Sequence, residues 1–497
     1  MRSDCSASAG VASGRRVAPV REMSSLIHSG ERVSLFHYHL DADLWRTMLA
    51  APGATLPLVS AWADSSRIYI LLLEGNRPLM ASCAVEDGRY LAPSSRFPTA
   101  EWGERVAYDL YGVEGMGARD DSSAVDEGGW DATWPLSERP GPGLPGLKPL
   151  ADRPFLRPER TGLCGPLGLS FDICDGRAEG ISVSAGFAHR GVLSQLIGKS
   201  PEEGLRLVSR VTAGGFVAHP LAFVRAVEQA RGELPGPGIR DTRFLLLEIE
   251  RISVHLHDIA VTMRSVEAEM FASHCDHARE AVAQACARAG VSRRLTDLVT
   301  FTGLKDGLEP VPLAQAVCDV MEPRMLALAE MQRTFGARLR KIGALSVEAV
   351  REYAVGGVTG RAGGRSLDLR RREAGMRLDA LRATGDSAGD AQARNALRLA
   401  EIRDSLALMR RILASIGMDD DEPAPQSLEE GIGAAEGPRG DVWYWVQLKD
   451  GLIKAIQVRD PSASLLPVLG KALDGLTPDQ LVTALRSFGL APSGIAL

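Results

Sequence analysis

Residues 135–160 read "PLSERPGPGLPGLKPLADRPFLRPER". Repeated prolines lock φ and remove backbone donors, so neither a helix nor a central strand can run through this stretch. It reads as a linker between domains. The linker is placed at residues 139–160, between a domain of residues 27–138 and a larger one of residues 161–497, with residues 1–26 as a disordered leader. A chain of 497 residues is long enough for two domains with cores of their own.

The two parts differ in pattern. In the first, a helical "DADLWRTMLAAP" precedes the apolar runs "RIYILLLEG" and "PLMASCAVEDGRYLAP", separated by Gly, Pro and Asp turn signals. Trp102, Val106, Leu110 and Val113 then recur at helical spacing. This predicts a small α/β domain. The second part opens with strand-like "GPLGLSFDICDGRAEGISVSAGF" and becomes mainly helical, with amphipathic stretches at 201–210, 220–229, 242–264, 274–289, 313–339 and 391–416. Residues 417–440, acidic and rich in Gly and Pro, are expected as a loop, and "DVWYWVQLKDGLIKAIQVRD" as a hairpin turning at Asp450-Gly451. The fold class expected is α+β.

Composition excludes several functions. A net charge of −6 and dispersed aromatics give no footprint for nucleic acid. The cysteines are odd in number, seven, and never in C-x-x-C spacing, which argues against a disulfide framework or a zinc or iron-sulfur cage and fits a reducing cytoplasm. The opening residues lack an apolar signal core, and no apolar run approaches the roughly 18 residues of a membrane span.

Four segments carry polar or conformationally unusual residues. "SRVTAGGFVAHPLAF", residues 209–223, sets poor helix formers inside a helical pattern. "GFAHRGV" places His189 and Arg190 where a strand gives way to a helix; they hold a buried anion, lie against a cofactor, or cap a turn. In "LLLEIERISVHLHDI", Glu248, Arg251 and His255 share one helix face, as a proton relay or as a structural ion pair with a satisfied histidine. "GGVTGRAGGRS", residues 356–366, lacks the GxGxxG and GK[ST] spacings of phosphate loops and serves equally as a tight turn.

The order of these motifs resembles a known arrangement. "FPTAEWGERVAYDLYGV" resembles the signature of the 30-kDa subunit of respiratory complex I and its hydrogenase relatives. "GFAHRGV", "RVTAGGFVAHPLAFVRAVE", "LLLEIERISVHLHDI", "TFTGLKDGL", "GGVTGRAGGRSLDLRR", "EIRDSLALMRRIL" and "GPRGDVWYWVQLKDGLIKAIQVRDPS" resemble, in order, the 49-kDa subunit and the large subunit of membrane-bound nickel-iron hydrogenases. A fused 30-kDa/49-kDa chain is the arrangement of the hydrogenase-4 and formate hydrogenlyase branch.

The resemblance implies a peripheral subunit on the cytoplasmic side of the inner membrane, beside an iron-sulfur small subunit, a ferredoxin-like subunit and membrane ion-translocating subunits. It places His189 and Arg190 near the partner's cluster and Glu248, Arg251 and His255 behind them. It also exposes departures. The hydrogenase R-x-C-G-x-C cysteines correspond to Thr212 and Gly215, and the D-P-C-x-x-C pair to Ser462 and Leu465. The quinone-binding Tyr and His of complex I correspond to Ala213 and Gly168, and a further family His to Leu295 or Thr296. A nickel-iron centre is therefore not expected, nor any cofactor held by this chain, although quinone stays open. The isolated chain is expected to be inactive, with an altered quinone pocket or a purely structural role as the other readings.

Overall fold

A computed structural model describes residues 22–497 apart from 53–54, 76, 127, 129, 144–154, 157–162, 164, 374–378, 383–386 and 419–426. The fold is α+β. Most of the expected leader, like most of the Pro/Gly linker, lies outside the described residues. The leader's last residues do not fit that expectation, because Met23–His28 is a helix whose Met23, Leu26 and Ile27 are buried.

The first part is a five-stranded sheet in the order Glu31–Arg32, His37–Leu40, Arg77–Ala84, Arg67–Glu74, Leu58–Ala63, antiparallel except where His37–Leu40 runs parallel to Arg77–Ala84. Asp41 caps the helix Ala42–Ala50 by accepting from the Leu44 N–H at 2.8 Å, and Trp45 and Met48 of that helix pack on one face of the sheet with Ile68, Ile70 and Leu72. The run "IYILLL" shows no alternation because the other face is buried too. Trp62, Tyr69, Leu71 and Met80 there join Ile432, Trp443 and Trp445 of the second part in one apolar cluster.

In the second part the helix Pro237–Arg264 is buried nearly all round and packs against Glu269–Arg288, Pro310–Met321 and Ala391–Ser415. The expected single helix at 313–339 is two, Pro310–Met321 and Met325–Phe335, because Pro323 cannot continue the first. The hairpin at Asp450-Gly451 forms with positive φ at both residues, 53° and 78°, as a two-residue primed turn requires.

The loop expected at 417–440 is corrected: Glu430–Gly437 is a strand, paired with Gly440–Lys449. Its sequence, "EGIGAAEG", is poor in strand formers for a steric reason. It lies directly on the helix Ala218–Arg231, where a Cβ at Gly431 or Gly433 would stand 2.0 Å from the Ala226 or Ala222 carbonyl oxygen. The hairpin joining these two strands carries Arg439 at its tip.

Candidate functional site

Between the helices Pro201–Val208 and Ala218–Arg231 the chain makes a turn through residues 209–217. Gly214 has a φ of +84°, and a Cβ there would meet Val254 at 3.2 Å, so backbone conformation and space both select glycine. Glu250 accepts from the Val217 and Ala218 N–H groups at 2.9 and 3.0 Å and so anchors the start of the following helix. Thr212, Ala213, Gly214 and Gly215 line a cavity of about 20 Å³, room for about one water molecule.

Its volume is taken up from within. A Cβ at Gly215 would lie 2.7 Å from His219 Cδ2, so the imidazole occupies the space a side chain at 215 would need. His219 is buried and held at both nitrogens, Nε2 against Asp460 at 3.2 Å and Nδ1 against the Tyr444 hydroxyl at 2.9 Å. The carboxylate only accepts, so Nε2–H donates to Asp460, and Nδ1 shares a hydrogen bond with the Tyr444 hydroxyl. Burial and the Asp460 charge hold the Tyr444 hydroxyl well above its ordinary range, keeping it a donor. Arg439 covers the other side, paired with Asp258 at 2.8 Å and donating to the Ala213 carbonyl at 3.1 Å.

The resemblance-derived positions separate here. Ser462 is buried next to the lining residue Pro461 and is itself absent from the lining, its hydroxyl accepting from the Ala491 N–H at 3.0 Å. Leu465 is buried in the apolar core and absent from the lining. Gly168 pairs with Ser184 at the start of a strand, and neither it nor Leu295 nor Thr296 lines the cavity. Facing Thr212 is instead the segment 491–494: Ala491 lines the cavity and the Ser493 hydroxyl lies 3.4 Å from that of Thr212. Ala491 and Gly494 have the spacing of a C-x-x-C pair, but nothing in "FGLAPSGIAL" marks them, since neither carries a functional group.

Arg190 clamps these two segments together. It donates to the carbonyls of Arg210 at 3.3 Å, Val211 at 2.5 Å and Ser493 at 3.0 Å. His189 Nδ1 lies 2.5 Å from the Ala496 carbonyl, with its ring 5.0 Å from that of Trp130.

Behind the cavity, Glu248, Arg251 and His255 belong to a larger buried network. Arg251 donates to Glu248 at 3.1 Å and to the carbonyls of Gly437 at 2.9 Å and Glu436 at 2.5 Å. His255 Nε2–H donates to Glu401 at 2.9 Å, and Glu401 also receives Arg361 at 2.9 Å. Arg361 reaches on to Glu436 at 2.7 Å, and Ser405 donates to Glu248 at 2.6 Å. Arg370 pairs with Asp368 at 2.6 Å and lies 3.6 Å from Glu248. Arg394, Arg398, Glu401 and Ser405 line one face of the helix Ala391–Ser415, all buried.

Burial pushes His255 down to about 4 despite its bond to Glu401, whereas burial pushes Glu436 up to about 7. For Glu401, burial is outweighed by Arg361, Arg370 and His255, and it stays well below the usual range. The group that titrates near neutrality is thus Glu436, which stands in the segment expected as a loop.

The two shifts oppose each other in stability. Between about pH 7 and 4.5 the folded protein holds a proton on Glu436 that the unfolded chain has lost, so acidification stabilises it. Between about 6.5 and 4 the unfolded chain protonates His255 and the folded one does not, so acidification destabilises it. Glu436→Gln removes the first effect, and its stability is expected to fall by about 1–3 kcal/mol more steeply than that of the wild type from pH 7 to 4.5. Urea denaturation across that range measures the difference; parallel curves would refute the assignment.

Nickel and iron held as in the hydrogenases require thiolates. The lining offers a hydroxyl, an imidazole bonded at both nitrogens, a carboxylate and an arginine, and no sulfur. Among the described residues no three His, Cys, Asp or Glu side chains converge as a metal site. These residues do not fit that centre.

Residues 270–428 match the family described as respiratory-chain NADH dehydrogenase, 49-kDa subunit. The carbon monoxide-induced hydrogenase of Rhodospirillum rubrum is 23% identical over 302 residues, 58% of this chain and 83% of that one. An NADH-quinone oxidoreductase subunit of Solibacter usitatus is 23% identical over 338 residues, 64% of this chain and 90% of its own. Formate hydrogenlyase subunit 5 of Escherichia coli is 24% identical over 431 residues, 77% of this chain and 73% of its own. Turn, buried network and hairpin therefore sit within a chain that carries a complex I 49-kDa-like domain, related to named subunits of NADH-quinone oxidoreductase, hydrogenase and formate hydrogenlyase.

Proposed function

We propose that the chain is a peripheral subunit of a complex I-like or hydrogenase-4-like membrane complex, on the cytoplasmic side, coupling electron transfer from an iron-sulfur partner to membrane ion-translocating partners without a nickel-iron centre of its own. The observation that carries this reading is the floor at Thr212–Gly215, where thiolates are absent and His219 fills the space, while the clamp at Arg190 and a buried charged network behind it are present. No described helix is long and apolar enough to cross a membrane, which agrees with a peripheral place. A quinone headgroup at the floor is disfavoured, since room for about one water cannot admit a six-membered ring.

In this reading Arg190 presents positive charge to the partner's cluster, and Glu436 is the group that changes protonation as the cluster is reduced. In the assembled complex, Arg190→Met is expected to lower the cluster's midpoint potential, on the order of tens of millivolts. Glu436→Gln is expected to flatten that potential's pH dependence. Potentiometric titration followed by electron paramagnetic resonance at two pH values reads both. Unchanged midpoints in assembled variants, or a chain that purifies without an iron-sulfur partner, would leave only a structural role.

A further inference from the structure

In the helix Glu101–Tyr111, Arg105 and Asp109 stand four residues apart and so share a face. Asp109 is buried, and its Oδ2 accepts from three successive N–H groups, those of Ala124, Val125 and Asp126, at 2.8, 2.8 and 3.1 Å, and from the Ser123 hydroxyl at 3.0 Å. Successive backbone donors converging on one oxygen hold an anion firmly. Arg105 adds bonds to the carbonyls of Ser122 at 2.8 Å and Ser123 at 2.6 Å. The first part thereby fixes residues 122–126, whose Ala124 and Val125 are buried in the apolar core of the second.

Trp130, four residues on, packs against the same core and brings its ring to 5.0 Å from that of His189, tilted by 40°. His189 and Ala496 line a cavity of about 240 Å³ between the two parts, and Trp130 stands outside that lining. A side chain makes few dispersion contacts across a cavity, so the flat contact with Trp130 is what fixes the angle of the imidazole. That angle decides a hydrogen bond. A carbonyl only accepts, so His189 Nδ1–H donates to Ala496. The adjoining Leu497 carbonyl accepts from the Val192 N–H at 3.0 Å, and earlier in the same segment Ala491 lines the floor.

We infer that Trp130 is a positioning residue: through it the first part sets the angle of the His189 ring, and so holds the segment 491–497 beside the floor. Arg190 holds the middle of that segment at Ser493, whereas the end at Ala496 and Leu497 depends on the contact from the first part. The inference does not rest on the proposed electron transfer, because its readouts belong to the chain itself.

The test is nitrogen NMR of the full chain labelled in its nine histidines, with His189 assigned by the signal lost in His189→Gln, together with amide hydrogen exchange. At about pH 8, above the ordinary histidine range, the wild type is expected to show His189 in the Nδ1–H tautomer alone. In Trp130→Ala the signal is expected to become that of mixed tautomers, and the Val192 and Ala496 amides to exchange about ten-fold faster or more, with the slowest amides of the helix Pro237–Arg264 unchanged. Trp130→Leu keeps an apolar cover on the core without the flat face and is expected to do the same, so it serves where the alanine variant does not fold. Trp130→Phe is expected to retain both wild-type properties, as is Tyr108→Ala, whose ring pairs with Trp134 at 6.0 Å instead. A single fixed tautomer and unchanged exchange in folded Trp130→Ala or Trp130→Leu would overturn the inference. So would equal loosening in Trp130→Phe or Tyr108→Ala, or faster exchange spread evenly through the helix Pro237–Arg264.

Discussion

Glu401→Ala is expected to destabilise the fold by about 3–5 kcal/mol. The residue is fully buried and takes His255 at 2.9 Å and Arg361 at 2.9 Å, with Arg370 at 3.8 Å. Removing its charge leaves Arg361 with Glu436 and Arg370 with Asp368 but takes away the carboxylate that both share and that His255 donates to, and breaking a buried charged contact costs more than the contact contributes. Glu401→Gln keeps an oxygen acceptor and is expected to cost roughly half as much. Chemical denaturation of the two variants checks the order. A Glu401→Ala loss below about 1 kcal/mol would mean that the network is hydrated and is not the dry scaffold described above.

The second large effect is at the floor. Gly215→Cys is expected to destabilise by about 2–4 kcal/mol, because its Cβ would stand 2.7 Å from His219 and 2.9 Å from Thr212 Cγ2. In a His219→Ala background the same substitution is expected to cost less, since the imidazole has gone and only the contact with Thr212 Cγ2 remains. His219→Ala itself costs stability, as Tyr444 and Asp460 each lose a partner. The double-mutant cycle isolates the clash from that loss. Additive effects would show that His219 does not fill the space a thiolate at 215 would need.

Legibility in the sequence follows the physics of each segment. The helices Pro237–Arg264 and Ala391–Ser415 are legible because their apolar stripes are long, and the turn at Asp450-Gly451 because only such residues accept two positive φ values in succession. The strand Glu430–Gly437 reads as loop because strand propensity measures side-chain packing, and this strand is selected for having almost no side chains where it crosses a helix. The floor is half legible. Thr212 and Gly215 stand in a recognisable motif, whereas Ala491 emerges only once the segment 491–497 is seen held by His189 and Arg190. The reach of the network is hidden for another reason: Arg361, Glu401 and Glu436 come from three distant segments, and only the fold brings them to one buried point.

The central claim is that the floor holds no nickel-iron centre, and the metal content of the chain purified within its native membrane complex tests it most directly. Nickel and iron are counted by mass spectrometry after the partner subunits have been stripped away. The account predicts nickel far below stoichiometry on this chain, because neither Thr212, Gly215, Ser462 and Leu465, where the resemblance puts thiolates, nor the lining of the floor offers one. About one nickel per chain, retained through that stripping, would contradict it.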